Sequence, residues 1–216
     1  MDNVKTSLVR KVAICIGLIF VLLLSLILFA SQAIVLSGFQ KLEKQDVQTN
    51  LTRAQHSINN EINGLARTCG DWAIWDDARD YVLGKKSDFV TANITMEVLS
   101  NLELNFMIYL DKEGKIVHSS VVDYVNKTDA NLPEGLEALL LSKKLLANLK
   151  EPEDCKTGIV IVSDIPVLVA AQPITNNNRK KPINGMLILG RYLDNNVIEK
   201  LRKNTCLDIK ITKKEI

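Results

Sequence analysis

The 216-residue chain is poor in the residues from which most catalytic and metal sites are built. It has two histidines, His56 and His118, and four cysteines without a CxxC pair. Neither histidine has neighbours typical of a zinc site or a catalytic triad. Glycine-rich phosphate-binding loops and the HExxH and GxSxG motifs are also missing. The sequence therefore predicts a chain that is not an enzyme and that needs no metal or cofactor.

The net charge and the hydrophobic content exclude two further classes of protein. The formal net charge is +2, so the chain lacks the strongly basic character of most nucleic-acid-binding domains, and we expect no nucleic-acid partner. Hydrophobic residues make up 47% of the chain, which is too many for a disordered protein. Aromatic residues make up only 5%, yet both tryptophans, Trp72 and Trp75, lie close together.

What the chain does have, near its N-terminus, is a long uncharged segment at residues 12–36, "VAICIGLIFVLLLSLILFASQAIVL". At about 1.5 Å per residue this helix would reach about 37 Å, more than the ~30 Å of bilayer hydrocarbon. A cleaved signal peptide is the alternative, but its apolar region would be only about 7–15 residues long. We therefore predict an uncleaved transmembrane helix at residues 12–36.

The orientation of this helix follows from the residues that flank it. Basic residues are equally frequent on its two sides, but Arg10 and Lys11 adjoin the apolar segment directly. We therefore place residues 1–11 in the cytosol as a short tail. The prediction is a single-pass protein of the cell membrane with the bulk of the chain extracellular.

A helical pattern continues beyond the membrane segment, and we assign residues 37–70 to a membrane-proximal stalk helix. Apolar residues recur at steps of three and four, close to a heptad seam. The seam comprises Val47, Leu51, Ala54, Ile58, Ile62, Leu65, Cys69 and Trp72. Two interpretations stay open: the helix packs on its own domain, or it forms a weak parallel homodimer.

The remaining residues, 71–216, alternate apolar segments with turns and predict an α+β domain. We expect a hairpin at residues 106–120, "FMIYLDKEGKIVHSS", with apolar runs at residues 106–110 and 116–117. Further strands are expected at residues 158–162, 167–173 and 186–193, and a last strand at 207–212. Helices are expected at residues 96–102, 133–149 and 196–203. The result is a mixed, mostly antiparallel sheet of about five strands behind a long N-terminal helix, as in PAS-like and Cache-like sensors.

An acidic and aromatic segment, "DWAIWDDARDY" at residues 71–81, interrupts this pattern. The seam extended past Trp72 places Asp76 where an apolar side chain is expected, with Asp77 beside it. A carboxylate turned toward a core must be paired or protonated. Arg191, at the end of an apolar strand, is the predicted partner. The pair is either a structural latch between helix and sheet or the floor of a ligand pocket.

Cysteines and glycosylation sequons add two weaker expectations. Of the three cysteines beyond the membrane segment, Cys155 and Cys206 are the predicted pair if a disulfide forms. Three Asn-x-Thr sequons begin at Asn50, Asn93 and Asn126. With 18 asparagines in the chain, about two sequons would arise by chance, so they are only compatible with an exterior location.

Five segments in order resemble the type-four CHASE domain, a sensory extracellular module of membrane histidine kinases and nucleotide cyclases. They are "DWAIWDDARDY", "ANI" at residues 92–94, "NFMIYLDKEGKIV", "AAQPI" and "GMLILGRYLD", and the resemblance covers about residues 51–212. It implies a PAS-like or Cache-like sensor behind a membrane-proximal helix. The family's motif positions are Asp71, Trp75, Asp76, Asp77, Asn93, Gly114, Gly185, Gly190 and Arg191. Among them, Asp71, Trp75, Asp76, Asp77, Asn93 and Arg191 are the candidate ligand-binding or latch residues.

The predicted function is therefore that of a membrane-anchored extracellular sensor domain. It would bind a small-molecule or protein cue and form the input part of a histidine kinase or cyclase receptor. Such receptors continue into a second membrane span and signalling domains, which this sequence does not contain, so we expect a receptor fragment or a chain that acts with a partner. The alternatives are a ligand-free module that dimerises or docks a partner receptor, and a membrane-anchored enzyme. A pocket lined by convergent polar side chains would favour the sensor, and one filled by apolar side chains the ligand-free module.

Overall fold

The computed structural model describes residues 2–140, 149–162 and 165–211. In chain order, the elements of this part are α1 (Asp2–Ala73), α2 (Asp76–Val82), α3 (Phe89–Asn93), α4 (Met96–Asn101), β1 (Phe106–Asp111), β2 (Ile116–Asp123), β3 (Thr128–Asp129), α5 (Leu136–Leu140), β4 (Lys156–Val162), β5 (Ile165–Ile174), β6 (Gly185–Tyr192) and α6 (Asn195–Thr205). Contacts divide the chain into two units, one ending at Thr52 and one beginning at Arg53.

The first unit consists of the N-terminal part of α1. Within the described residues, α1 is the one helix long and apolar enough to cross a membrane by length and composition. The large apolar side chains of residues 12–32 and 34–36 are exposed in the isolated chain, with Phe20 at 64% and Leu22 at 65%. A helix that is apolar on all sides is typical of a membrane span.

The second unit is built on a six-stranded sheet with the order β3-β2-β1-β6-β5-β4. Neighbouring strands pair antiparallel throughout, and the one parallel contact in the described residues is an isolated bridge between Ile74 and Thr175. The predicted α+β class with a mostly antiparallel sheet is confirmed. The central strands β1 and β6 are almost wholly buried.

The sheet separates two apolar clusters because successive side chains of a strand point to opposite faces. On the first face, Met107 and Tyr109 of β1 pack beneath α1. On the second face, Phe106, Ile108 and Leu110 of β1 pack in one cluster with Leu136 and Leu140 of α5. The other buried members of this second cluster are Val162, Val167, Val169, Ala171 and Ile188.

From Ile58 onward, the apolar seam of α1 packs against its own domain. Leu65 and Cys69 are fully buried on the first face, and Ile58, Ile62 and Trp72 pack against the same cluster. The earlier seam residues Val47 and Leu51 are 63% and 51% exposed. Packing inside the domain is therefore established for the later stretch of the seam, whereas the homodimer stays a prediction for the earlier stretch.

Helix α1 ends where the acidic and aromatic segment meets the loop between β5 and β6. Thr175 donates its backbone N–H to the carbonyl of Ala73 at 3.2 Å, beside the bridge that Thr175 forms with Ile74. Asn177 accepts the backbone N–H of Asp76 on its side-chain oxygen at 3.0 Å. These contacts replace the continuing helical bonds, so the chain turns and α2 starts at Asp76.

Three predictions from the sequence need correction or lie partly outside the described residues. The structure has no strand at residues 207–211. The backbone carbonyl of Ile209 in this segment instead accepts a hydrogen bond from Nε of Arg202 at 3.0 Å. The predicted helix at residues 133–149 is helical at Leu136–Leu140, and residues 141–148 lie outside the description. The Cys155–Cys206 disulfide is wrong, because both thiols are free and exposed.

Candidate functional site

Arg191 stands at the end of β6 and joins three parts of the domain. Its Nη1 contacts Oε2 of Glu61 on α1 at 2.8 Å. Its Nε donates to the carbonyl of Glu103 at 2.7 Å, and its Nη2 donates to the carbonyl of Leu102 at 2.9 Å. Arg191 is buried, with 8% of its surface exposed. The planar guanidinium therefore clamps α1 and the turn between α4 and β1 onto the sheet.

Lys200 of α6 completes this charged cluster. Its Nζ lies 3.3 Å from Oε1 of Glu61 and 2.9 Å from Oε2 of Glu103. Burial alone would lower the pKa of Lys200, but the hydrogen bond to Glu103 and the charge of Glu61 outweigh burial and raise it. We call Glu61, Glu103, Arg191 and Lys200 the charged clamp. Two carboxylates and two cations balance one another, and the cluster links α1 to both β6 and α6.

The charged clamp borders an open groove of about 520 Å³ that also contains Asp71. Asp71 is exposed on α1, two turns or more beyond Glu61. Of the candidate residues from the sequence, Asp71 and Arg191 therefore share one groove. The Arg191 donors already bind two carbonyls and a carboxylate, which favours a structural role over capture of an anion.

The remaining carboxylates of the acidic and aromatic segment pair locally, so the predicted Asp76–Arg191 or Asp77–Arg191 pair is wrong. Asp76 contacts Nη1 of Arg79 at 2.9 Å, three residues along α2. Asp77 contacts Nζ of Lys86 at 2.9 Å. The Asp76 side chain is 44% exposed, because the break after Ala73 rotates it out of the apolar seam.

The aromatic residues of the same segment, Trp72, Trp75 and Tyr81, are partly buried and pack against the first apolar cluster. Trp75 makes edge-on contacts with Trp72 at 5.8 Å and with Phe89 at 5.3 Å between ring centroids. Phe89 contacts Tyr81 and Tyr109 in turn. Such a chain of rings contributes packing beyond the buried area alone. The segment is therefore the corner where α1, α2 and the first face of the sheet meet.

Asn93 has a role within its own helix. Its Nδ2 donates to the carbonyl of Phe89 at 2.9 Å. It ends α3, and the following residue, Ile94, is buried in the first apolar cluster. The side-chain hydrogen bond of Asn93 thus involves neither Asp76 nor the charged clamp.

A second open groove, of about 620 Å³, lies between α4 and the strands β2 and β3. Its apolar lining residues include Met96, Leu99 and Leu132. Its polar lining residues are Thr95, Ser119, Ser120, Asp129, Asn131 and Glu137. None of the described residues that line this groove is basic. We call it the polar groove.

A family model for the CHASE4 domain matches residues 57–212 of this chain. The chain belongs to the CHASE4 family. The resemblance found in the sequence is thereby confirmed, with nearly the predicted limits. A CHASE4 domain is a sensor module and is not itself catalytic.

This CHASE4 domain is similar in sequence to part of a histidine kinase. It is 29% identical over 195 residues to the methanogenesis regulatory histidine kinase FilI of Methanothrix harundinacea (strain 6Ac). That match covers 90% of this chain but only 22% of the relative, so the chain spans about a fifth of the relative's length.

Solved structures share the fold of this CHASE4 domain. The extracellular domain of vpHK1S-Z8, a proposed histidine kinase, aligns with a TM-score of 0.53 and 18% identity over 73% of this chain and 59% of that one. The sensor domain of the histidine kinase DctB from Vibrio cholerae aligns with a TM-score of 0.51 and 13% identity over 74% of this chain and 58% of that one. At these identities the likeness concerns the fold.

Metal binding has no support in the described part of the CHASE4 domain, where no group of three or more His, Cys, Asp and Glu residues is placed to hold an ion. His118, on β2, instead bonds the hydroxyl of Ser120 at 2.7 Å through Nε2. Its burial lowers the pKa of the imidazole.

The sequence did not single out the partners of Arg191 in this CHASE4 domain. Glu61 lies three residues after Ile58 and four before Leu65, so it borders the apolar seam of α1. That position is a signal for a partly buried acid. Glu103 and Lys200 carry no comparable signal, because their approach to Glu61 and Arg191 depends on the tertiary fold.

Proposed function

We propose that this CHASE4 domain is the membrane-anchored, extracellular input part of a sensor histidine kinase or cyclase. It would recognise a small-molecule or protein cue and pass its state to the membrane through α1. The matched family and the relative that is a histidine kinase support this assignment. The apolar part of α1 and the sensor-domain neighbours support a membrane anchor with the domain outside the cell.

The observation that carries the proposal is the charged clamp on α1. One helix, α1, contains both the apolar segment and Glu61, and Glu61 is bound by Arg191 of β6 and Lys200 of α6. A rearrangement of the sheet or of α6 therefore acts on α1 through strong, directional contacts. Such a link is what a domain needs if binding on its surface is to alter a membrane helix.

The polar groove is the proposed site of the cue. Polar residues of β2, β3 and α5 line it, together with Thr95 before α4, and a polar lining supports a sensor over a ligand-free module. Asp129 and Glu137 supply carboxylates without a basic residue among the described lining. A cue with hydrogen-bond donors or a positive charge suits this lining best.

A ligand-free module that docks a partner receptor is the second candidate function. Apolar side chains of α5 fill the second face of the sheet, and a filled face favours a scaffold over a ligand pocket. The two functions predict different effects of rotating α1. Rotation should change the output of an attached signalling domain if the domain is a sensor, and should leave that output unchanged if the domain only docks a partner.

A chimeric receptor tests the sensor function. This chain would replace the matching segment of the relative histidine kinase, and autophosphorylation would be measured in membrane vesicles. Two alanines inserted after Ser37 rotate the following helix by about 200° and should change kinase activity severalfold. The same insertion in the exposed turn after Lys112 should leave activity near that of the parent chimera. Equal activities of all three chimeras would show that α1 transmits no state.

A binding experiment tests the polar groove separately. The full chain in lipid nanodiscs would be unfolded thermally with a panel of small amines, amino acids and polyols. A cue at a hundred times its Kd should stabilise the fold by about 2.7 kcal/mol. Asp129→Asn with Glu137→Gln should remove that stabilisation, whereas Asp208→Asn, outside the groove, should keep it. Stabilisation that survives the double variant would place the cue elsewhere.

A further inference from the structure

We propose that Asn126 is a site of N-linked glycosylation. Of the three sequons in the chain, the one at Asn126 is accessible in the folded state, whereas those at Asn50 and Asn93 become accessible only when the chain unfolds locally. The inference rests on the proposed exterior location of the domain. All three sequons satisfy the same sequence rule, Asn-x-Thr. Their hydrogen bonds, exposure and backbone conformation distinguish them.

The sequon at Asn126 begins in the exposed connection between β2 and β3 and ends at Thr128, the first residue of β3, which pairs with Asp123. Asn126, Lys127 and Thr128 are all exposed. Asp123 shapes the turn by accepting the backbone N–H of Asn126 at 3.1 Å. Among the described residues, the side-chain amide nitrogen of Asn126 donates one hydrogen bond, to the same carboxylate at 2.7 Å on the surface. Water replaces an exposed bond of this kind at little cost, so the amide is available without unfolding.

The sequon at Asn93 is committed to the fold at each of its three positions. The Asn93 amide donates to the carbonyl of Phe89 at 2.9 Å. Ile94 is buried in the first apolar cluster, with 8% exposed. Thr95 caps α4 by accepting the backbone N–H of Val98 at 3.3 Å. A glycan on Asn93 would require all three contacts to break, and hence local unfolding of α3 and α4.

The sequon at Asn50 lies inside α1, where helical geometry separates its two recognised groups. Residues two apart on a helix do not face each other, so the Asn50 amide and the Thr52 hydroxyl point to different sides. Thr52 also donates its hydroxyl to the carbonyl of Gln48 at 2.9 Å. An enzyme that must hold both groups of the sequon meets them together only if this part of α1 unwinds.

The reaction at Asn126 transfers a saccharide from a lipid-linked donor. The Nδ2 of Asn126 forms a bond to the anomeric carbon of the donor sugar, and the bond from that carbon to the lipid phosphate oxygen breaks. The lipid phosphate leaves with the bonding electron pair, and the amide nitrogen loses one proton to a base of the transferase. No group is oxidised or reduced. The co-reactants are a lipid-phosphate-linked oligosaccharide and an oligosaccharyltransferase.

The test compares folded and unfolded protein in one assay. The full chain in nanodiscs would be incubated with a single-subunit oligosaccharyltransferase and a lipid-linked oligosaccharide, and site occupancy would be measured by peptide mass spectrometry. In the folded chain we expect Asn126 to be modified at least about tenfold more than Asn93 or Asn50, since those sites open only by local unfolding. In urea-unfolded chain the three occupancies should converge. Thr128→Val should remove modification of Asn126, and Thr128→Ser should retain it.

Equal occupancy of Asn93 and Asn126 in the folded chain would overturn the proposal, as would an unmodified Asn126 in protein purified from its own cells. An unmodified Asn126 counts against glycosylation alone if a membrane-impermeant thiol reagent, added to the same cells, labels the domain and so places it outside. If labelling places the domain in the cytosol, both the sensor location and glycosylation in the cell are wrong.

Discussion

Arg191 and Glu61 form a 2.8 Å ion pair between β6 and α1, although 130 residues separate them in the sequence. Their side chains are only 10% and 12% exposed. The pair is thus well shielded from water, and the carbonyls of Leu102 and Glu103 satisfy further donors of the arginine. The pair joins the sheet to the helix that carries the apolar segment proposed to cross the membrane.

Breaking this pair from one side should be costly. Arg191→Met leaves the Glu61 carboxylate with Lys200 alone at 3.3 Å, and Glu61→Gln leaves the Arg191 guanidinium with the Glu103 carboxylate at 3.4 Å. Each change should therefore lower the free energy of unfolding by more than about 1 kcal/mol, but by less than the ~3–5 kcal/mol of a fully unpaired buried charge. The double variant should lose clearly less than the sum of the single losses. Chemical denaturation of the full chain in detergent micelles measures all three values.

The control for this cycle is the exposed pair of Asp76 and Arg79. Their side chains are 44% and 27% exposed, so Asp76→Asn and Arg79→Met should each cost less than about 1 kcal/mol. A loss at Asp76 as large as that at Arg191 would contradict the structure and restore the pairing predicted from the sequence.

Gly190 should be intolerant of a side chain. It pairs directly with Phe106 across β1 and β6, and a Cβ at this position would overlap the Phe106 ring. Gly190→Ala should therefore destabilise the fold by about 1–3 kcal/mol or more. A smaller neighbour should relieve the overlap, so Phe106→Leu combined with Gly190→Ala should cost less than the sum of the two single changes. Gly158, with open space around it, supplies the matched control: Gly158→Ala should stay within about 1 kcal/mol of the parent.

The three cysteines beyond the predicted membrane segment should report the topology, whereas Cys15 lies within that segment. Cys155 and Cys206 are exposed, and Cys69 is buried. Burial raises the pKa of the Cys69 thiol, which keeps it protonated and unreactive. A membrane-impermeant maleimide added to intact cells should therefore label two thiols, and a third only after unfolding. Cys155→Ser with Cys206→Ser should abolish labelling before unfolding. Labelling of the native pair only after the cells are lysed would reverse the proposed orientation.

The exposed stretch of the α1 seam should mediate a weak homodimer. Val47 and Leu51 are exposed and lie one turn apart on the helix, and confinement to the membrane raises their effective concentration. Cysteine at Leu51 should cross-link in membrane vesicles, whereas cysteine at Thr49, on the opposite side of α1, should cross-link several times less. Equal cross-linking at the two positions would mean that the seam is not an interface.

His118 should make stability depend on pH. Burial lowers its pKa below the usual 6.5, so the unfolded chain binds a proton more readily than the folded one. Stability is then constant above about pH 6.5 and declines as the pH falls toward the lowered pKa of the folded state. His118→Gln should flatten this decline, while His56→Gln, on an exposed part of α1, should keep it. A parent chain whose denaturation midpoint stays constant between pH 7 and pH 5 would contradict the lowered pKa.

Local sequence determined most of the secondary structure of this protein. The β1–β2 hairpin, the strands β4, β5 and β6, and the helices α4 and α6 appear within three residues of their predicted limits, because alternation of apolar residues and turn residues is a local signal. The two-residue strand β3 is exposed and has no such pattern. Its existence depends on pairing with β2.

Tertiary structure alone decided the partners of the charged residues. The apolar periodicity of α1 pointed to Asp76 as a core-facing acid, which holds only if the helix continues past Ala73. It does not continue, because Thr175 and Asn177, a hundred residues away along the chain, take the hydrogen bonds at that point. Asp76 then turns toward solvent, and Arg191 binds Glu61 instead. A helical pattern carries no information about where a distant loop will end the helix, so the identity of the clamp could be read only from the folded chain.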